Sequence, residues 1–285
     1  MTSAELAIPV PGRDVTLAAT LMEPEQGPAA VVVLWPALGV KGSYYGPFCT
    51  ELVRKGFAVV CVDLRGQGGS RPRVGRSARH GYHELATRDW PAVLEVVRRR
   101  YAGIPCYTLG HSLGGQVSVL HAASAPDSVD GVVLVAAGSV DHRGFPGAGA
   151  LRVFAATHLV AGVGTAFGYW PGDRLGFAGR QSAVLVRDWA RICRTGRFEP
   201  TDADVDYESL LAGLTLPVLA VSVEGDDMAP GSAVDRLCAK MPAATVQRHH
   251  HGTGAGRRLD HFRWVRDSGA IADRIGDWAA AAPTG

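Results

Sequence analysis

The chain is short of several things that would direct its chemistry. Lysine is nearly absent, confined to Lys41, Lys55 and Lys240. The basic side is therefore arginine, which reads as codon bias of a GC-rich genome rather than as a design for phosphate. With a net charge of +2, nothing argues for a nucleic-acid partner. The five cysteines, Cys49, Cys61, Cys106, Cys193 and Cys238, are odd in number and form no C-x-x-C pair. In a chain of 285 residues they read as reduced thiols of a cytoplasmic protein, not as a disulfide frame or zinc site. The opening MTSAELAIPVPGRD has no basic start and no long apolar run, so no secretory leader is expected. There is no phosphate-loop pattern G-x-x-x-x-G-K-[ST], no internal repeat and no low-complexity tract.

One uncharged stretch, residues 153–170 (VFAATHLVAGVGTAFGYW), raises the question of a membrane span. Its histidine, threonines and glycines dilute it, and a pair of buried or covering helices is the expectation, with no membrane.

What the sequence does have is alternation. LAIPV and VTLAATL flank the turn sequence PGRD and predict an antiparallel hairpin. AAVVVLWPA, FAVVCVDLRG, IPCYTLG, VDGVVLVAAG and LPVLAVSVEGDD are apolar runs of the kind buried on both faces of a parallel sheet. Helical patterns fall between them, near residues 44–56, 82–100 and 113–123. A further strand, ATVQRHH, follows a helix near 231–240, and a closing helix is expected from about Phe262. The prediction is an α/β protein with a mostly parallel central sheet and helices on both faces. The beat breaks between residues 139 and 213, a glycine-spotted, aromatic, helical region. The expected organisation is a core of 1–138 and 214–285 with a helical lid inserted at 139–213.

The stretch CYTLGHSLGGQVSVL holds Gly110-His111-Ser112-Leu113-Gly114, a G-x-S-x-G pattern where an apolar run becomes a helix. On such a turn the serine is forced into a strained conformation at the carboxyl edge of the sheet, with a helix N-terminus aimed at developing negative charge. The alternative is a plain glycine-rich turn. A serine hydroxyl needs a base, and the base needs a carboxylate. Asp226 and Asp227 end a late apolar run, and His261 follows about 35 residues on, so the order serine, acid, histidine is complete. His249, His250 and His251 are adjacent, and three neighbours on regular backbone cannot converge on one metal ion. No metal or cofactor is expected. His111 is expected to turn away from the site and His158 to be packed.

These motifs, GHSLGG, DLRGQGGS, GDDMAP and DHFRW, resemble the α/β-hydrolase fold family over essentially the whole chain. More narrowly, FGYWPGDRLGFAGRQ and DWARICRTGRF are similar to a bacterial branch of hydrolases related to serine aminopeptidases and lysophospholipases. The resemblance implies hydrolysis of an acyl bond, most simply a carboxylic ester, through a covalent acyl-enzyme. The same catalytic set would serve a thioesterase, an amidase or an acyltransferase, and a non-catalytic ligand-binding protein on this fold is the contrasting class. The family usually has proline four residues after the catalytic aspartate; Pro230 favours Asp226 over Asp227. The N–H groups of Leu113 and Leu38 are the expected oxyanion donors. The family commonly has His-Gly where this chain has Pro36-Ala37, which leaves Ala37 and Gly39 as alternatives to Leu38. Asp63 and Arg65 in DLRGQGGS are expected to tie down the adjoining loop. In the lid, Phe154, Phe167 and Trp170 are the expected contacts to a small-molecule acyl substrate, with Arg174 and Arg180 available to an anionic group. No readable signal bears on oligomeric state.

Overall fold

The computed structural model describes residues 1–252 and 259–281. In chain order the elements are β1 (Thr2–Pro9), β2 (Thr16–Glu23), β3 (Ala30–Trp35), α1 (Gly46–Arg54), β4 (Phe57–Val62) and α2 (Tyr82–Glu84). A π-helical turn, Leu85–Asp89, joins α2 to α3 (Trp90–Arg100); β5 (Cys106–His111), α4 (Leu113–Ser124) and β6 (Gly131–Val135) follow. The connection to the next sheet strand carries α5 (Ala148–Phe167), β7 (Tyr169–Pro171), α6 (Gly172–Leu175), β8 (Gly179–Ser182), α7 (Ala183–Thr195) and α8 (Tyr207–Ala212). The chain then returns through β9 (Pro217–Val223), α9 (Gly231–Cys238), β10 (Thr245–His251) and α10 (Gly269–Ala281). The run GTGAG at 252–256, a loop by its sequence, lies outside the described residues apart from Gly252.

Eight strands form one sheet in the order β1-β2-β4-β3-β5-β6-β9-β10. The hairpin β1–β2 and its junction with β4 are antiparallel, and every other pairing is parallel. Strand β3 shows why these runs are apolar throughout. Val31, Val33 and Trp35 face one buried layer, with α3 and α4, and Ala30, Val32 and Leu34 face the other, with α1 and α10. Side chains alternate along a strand, so a sheet covered on both faces has no polar register.

The connection between β6 and β9 departs from a purely helical expectation, because β7 and β8 pair as a small antiparallel hairpin. The uncharged stretch forms one 20-residue helix, not a pair. By length and composition α5 could cross a membrane, yet only Thr157, Val160, Ala161 and Gly164 are buried in it. Those four pack toward α7, with Val160 joining Val186 and Trp170 in a small cluster.

Candidate active site

Ser112 occupies the one-residue turn between β5 and α4 with φ 54° and ψ −118°. A non-glycine residue there is strained, and neighbouring backbone must over-determine it. Two glycines provide the room. A Cβ on Gly110 would collide with the backbone of Gly114 and Gly115, and one on Gly114 with the carbonyls of Trp35 and Pro36. The turn holds the start of α4 against the end of β3, which brings the Leu38 loop beside Ser112.

Asp226 follows β9 and His261 follows β10, both adjacent at the carboxyl edge of the sheet. Both are buried, and His261 Nδ1 lies 2.8 Å from Asp226 Oδ2. The other carboxylate oxygen accepts the N–H groups of Met228 and Ala229, each at 2.8 Å, which fixes the plane of the carboxyl group. Asp227 is exposed on the outside of this turn. The His261 backbone is held in turn: its carbonyl accepts from Trp264 Nε1 at 3.0 Å, and Asp260 caps the N–H groups of Phe262 and Arg263.

Ser112 and His261 line one cavity of about 200 Å³, together with Leu38 and Leu113. The loop geometry narrows the choice of N–H donors. Ala37 N–H donates to Tyr45 Oη at 2.9 Å and is thereby engaged. Among the described residues the N–H groups of Leu38 and Leu113 have no hydrogen-bond partner. Gly39, at φ +76°, lets the loop pass against the backbone of Ala178, where any Cβ would collide.

Beneath the cavity Tyr45 Oη meets His111 Nδ1 at 2.7 Å. His111 points away from the cavity but packs against the His261 ring from behind, with centroids 4.8 Å apart. Burial, reinforced by repulsion from His261, holds the His111 pKa well below the usual histidine value. It is therefore neutral and presents no like charge to His261.

The expected substrate contacts need correction. Phe154, Phe167 and Trp170 do not line this cavity. Phe154 stacks on His158 and meets His142, Phe167 is 54% exposed at the end of α5, and Trp170 is buried with its Nε1 bonded to the Phe177 carbonyl. Val140, Phe177, Trp189, Met228 and Phe262 form the apolar wall instead, with Gln116 as a buried polar member. Gln116 is fixed by Tyr82 Oη and the Gly138 carbonyl, both at 2.7 Å. Phe177 and Trp189 lie within the two stretches noted in the sequence, but nothing in residue spacing told which aromatic faces inward. Arg174 and Arg180 are absent from the lining, and Arg180 pairs with Asp173. Asp63 and Arg65 do anchor their loop: Asp63 accepts from Gly42 and Gly69 N–H, and Arg65 pairs with buried Asp89. Among the described residues no cluster of histidine, cysteine and carboxylate could hold a metal ion.

The architecture and the strand-to-helix serine turn are those of the α/β-hydrolase fold, and the comparisons agree. Residues 26–163 match the family described as serine aminopeptidase, S33, a segment that contains Ser112, Leu38 and Leu113 but neither Asp226 nor His261. The matched segment is just under half of the chain, and it shows a resemblance to that family. It is similar to RutD of Escherichia coli O1:K1, 33% identical over 116 residues, 41% of each chain. Monoglyceride lipase of Rattus norvegicus is 27% identical over 113 residues, 40% of this chain and 36% of that one. The match thus spans about two fifths of the length of these curated relatives. A thermophilic esterase from Thermogutta terrifontis superposes with TM-score 0.64 over 99% of this chain and 100% of its own, at 15% identity, and shows the shared fold.

Proposed function

We propose that the chain is a serine hydrolase cleaving carboxylic esters with small apolar acyl groups, working through Ser112, His261 and Asp226. The observation that carries this reading is the 2.8 Å contact of His261 Nδ1 with Asp226, made by a histidine that shares its cavity with a strained serine. Asp226 holds the proton on Nδ1, so Nε2 is the basic nitrogen. As Ser112 Oγ attacks the ester carbonyl, Nε2 takes its proton. The carbonyl π electrons move onto oxygen, and the N–H groups of Leu38 and Leu113 meet the oxyanion. Collapse of the tetrahedral species breaks the bond to the alcohol, which leaves with the proton from Nε2. Water, deprotonated by the same nitrogen, then cleaves the acyl-serine and releases the acid. Neutral His111 beneath the ring leaves the transient imidazolium opposed by no neighbouring positive charge.

The volume of about 200 Å³ supports a small acyl group, since pockets for drug-sized ligands run to roughly 300–1,000 Å³. Residues 139–213 serve as the lid of this reading: Phe177, Ala178 and Trp189 come from that segment and roof the cavity. The names of the esterase and lipase relatives favour esters over other acyl compounds. A cytoplasmic location suits five cysteines that are all unpaired.

Turnover of a panel of p-nitrophenyl esters, acetate to octanoate, tests the reading. Short chains are expected to be preferred. Asp226→Asn is expected to lower kcat by about 10²–10⁴-fold, with Asp227→Asn within about twofold of wild type. Equal loss in both variants, or no turnover of any ester, contradicts it.

A further inference from the structure

The segment joining β4 to α2 contains Arg71, Arg73, Arg76 and Arg79, with no carboxylate anywhere between residues 64 and 83. Composition alone assigns it no task, but its placement does. It walls a second cavity of about 420 Å³ whose lining shares no residue with the Ser112 cavity. Four arginines line this cavity: Arg13, Arg65, Arg73 and Arg79. Two are neutralised within the fold: Glu84 takes Arg13 at 2.7 Å and Arg65 at 3.3 Å, and Asp89 also takes Arg65. Among the described residues Arg73 and Arg79 have no carboxylate partner, and Arg79 donates only to the carbonyls of Arg76 and Ala78. The remaining negative charge on the lining is Asp202, exposed at the rim.

His80 is a second, independent sign. It is 6% exposed, lines the same cavity, and among the described residues has no hydrogen-bond partner for either ring nitrogen. Burial, with Arg65 nearby, lowers its pKa to about 3, so it offers a neutral N–H donor rather than a third charge. A neutral ring whose N–H is not engaged is available to a bound acceptor. Guanidiniums recognise oxyanions by paired N–H groups, which makes two unpaired arginines around such a donor a matched set.

We propose that this cavity is a binding site for a small multivalent oxyanion, a phosphate ester or polycarboxylate, held by Arg73, Arg79 and His80. Isothermal titration calorimetry of the whole chain with pyrophosphate and with citrate, at constant ionic strength, tests it. Saturable one-to-one binding of at least one probe is expected, and the tighter of the two identifies phosphate or carboxylate as the preferred group. Arg73 and Arg79 are exposed, so Arg73→Ala with Arg79→Ala leaves the fold intact and is expected to weaken binding about tenfold or more. His80→Phe is expected to weaken it by a smaller factor. Asp202→Asn, which removes the rim charge, is expected to tighten it about threefold. Ser112→Ala is expected to bind unchanged, so the result stands apart from the catalytic reading. No saturable binding of either probe, or binding indifferent to the arginine double variant, overturns the proposal.

Discussion

Helices α4 and α5 are alike on paper and opposite in the fold. Both are apolar and neither has a charged face; α5 carries one ionised side chain, Arg152, and α4 none. Yet every residue of α4 except Ser124 is buried, whereas α5 exposes Leu151 at 73% and Leu159 at 67%. The difference lies in their partners. α4 lies on the centre of the sheet, and its few polar groups are all matched: Gln116 to Tyr82 and Gly138, Ser118 to Trp90, His121 to Ala86 and Ser128. α5 has α7 along one side and solvent along the other. A helix apolar all round is expected to be fully covered, so composition placed α4 correctly and overstated the burial of α5. The Ser112 turn is thus anchored to a helix buried along nearly its whole length, and the roof of the cavity belongs to a segment with fewer buried contacts.

The largest test of that contrast is truncation of equivalent leucines. Leu120→Ala in α4 is expected to cost about 2–5 kcal/mol, and Leu159→Ala in α5 no more than about 0.5 kcal/mol, both read by urea unfolding. Similar costs would mean that α5 is covered in solution. Next come the glycines. Gly114→Ala in α4 would drive a methyl into the Trp35 carbonyl and is expected to cost about 3 kcal/mol, with loss of ester turnover. Gly162→Ala in α5 meets open space and is expected to stabilise by about 0.5–1 kcal/mol through helix propensity alone. A destabilising Gly162→Ala would break the comparison.

The smallest effect is a pH dependence seated in α4. Burial lowers the His121 pKa to about 4, against about 6.5 in an unfolded chain. The unfolded state therefore takes up a proton that the folded state refuses. The stability His121 contributes is complete above about pH 6.5 and drains away as the pH falls toward 4. His80 and His111 act in the same direction, and Asp89, raised by burial to about 6, acts in the opposite one. Thermal unfolding from pH 7.5 to pH 4.5 is expected to show a falling Tm, with a shallower slope for His121→Asn. A flat wild-type profile would contradict it.

The sheet was legible because its signal is local. Each buried strand is an apolar run, and the order serine, acid, histidine follows from where the strands end. Asp226 could be preferred to Asp227 before any coordinates, from Pro230, and it is Asp226 that meets His261. The walls of the cavity were not legible. Phe154, Phe167 and Phe177 carry the same side chain, and which one faces Ser112 depends on how β7 and β8 fold over Gly39, a contact set by backbone shape rather than by side-chain type. The engagement of Ala37 N–H by Tyr45 was equally hidden, since it joins a loop to a helix entrance by a single hydroxyl. His80 and its arginines could be seen as a charge-rich stretch but not as a cavity, because other walls come from Arg13, Val15 and Asp202, far from it in sequence.

The central claim is that Ser112 is made nucleophilic by His261 and Asp226. The measurement that tests it most directly is intact mass after exposure to a fluorophosphonate, with the adduct mapped by peptide digestion. The account predicts one adduct on wild type, located on Ser112, absent from Ser112→Ala and strongly slowed in His261→Ala. A folded wild type that stays unmodified even by a small fluorophosphonate, or an adduct that persists in Ser112→Ala, would contradict it.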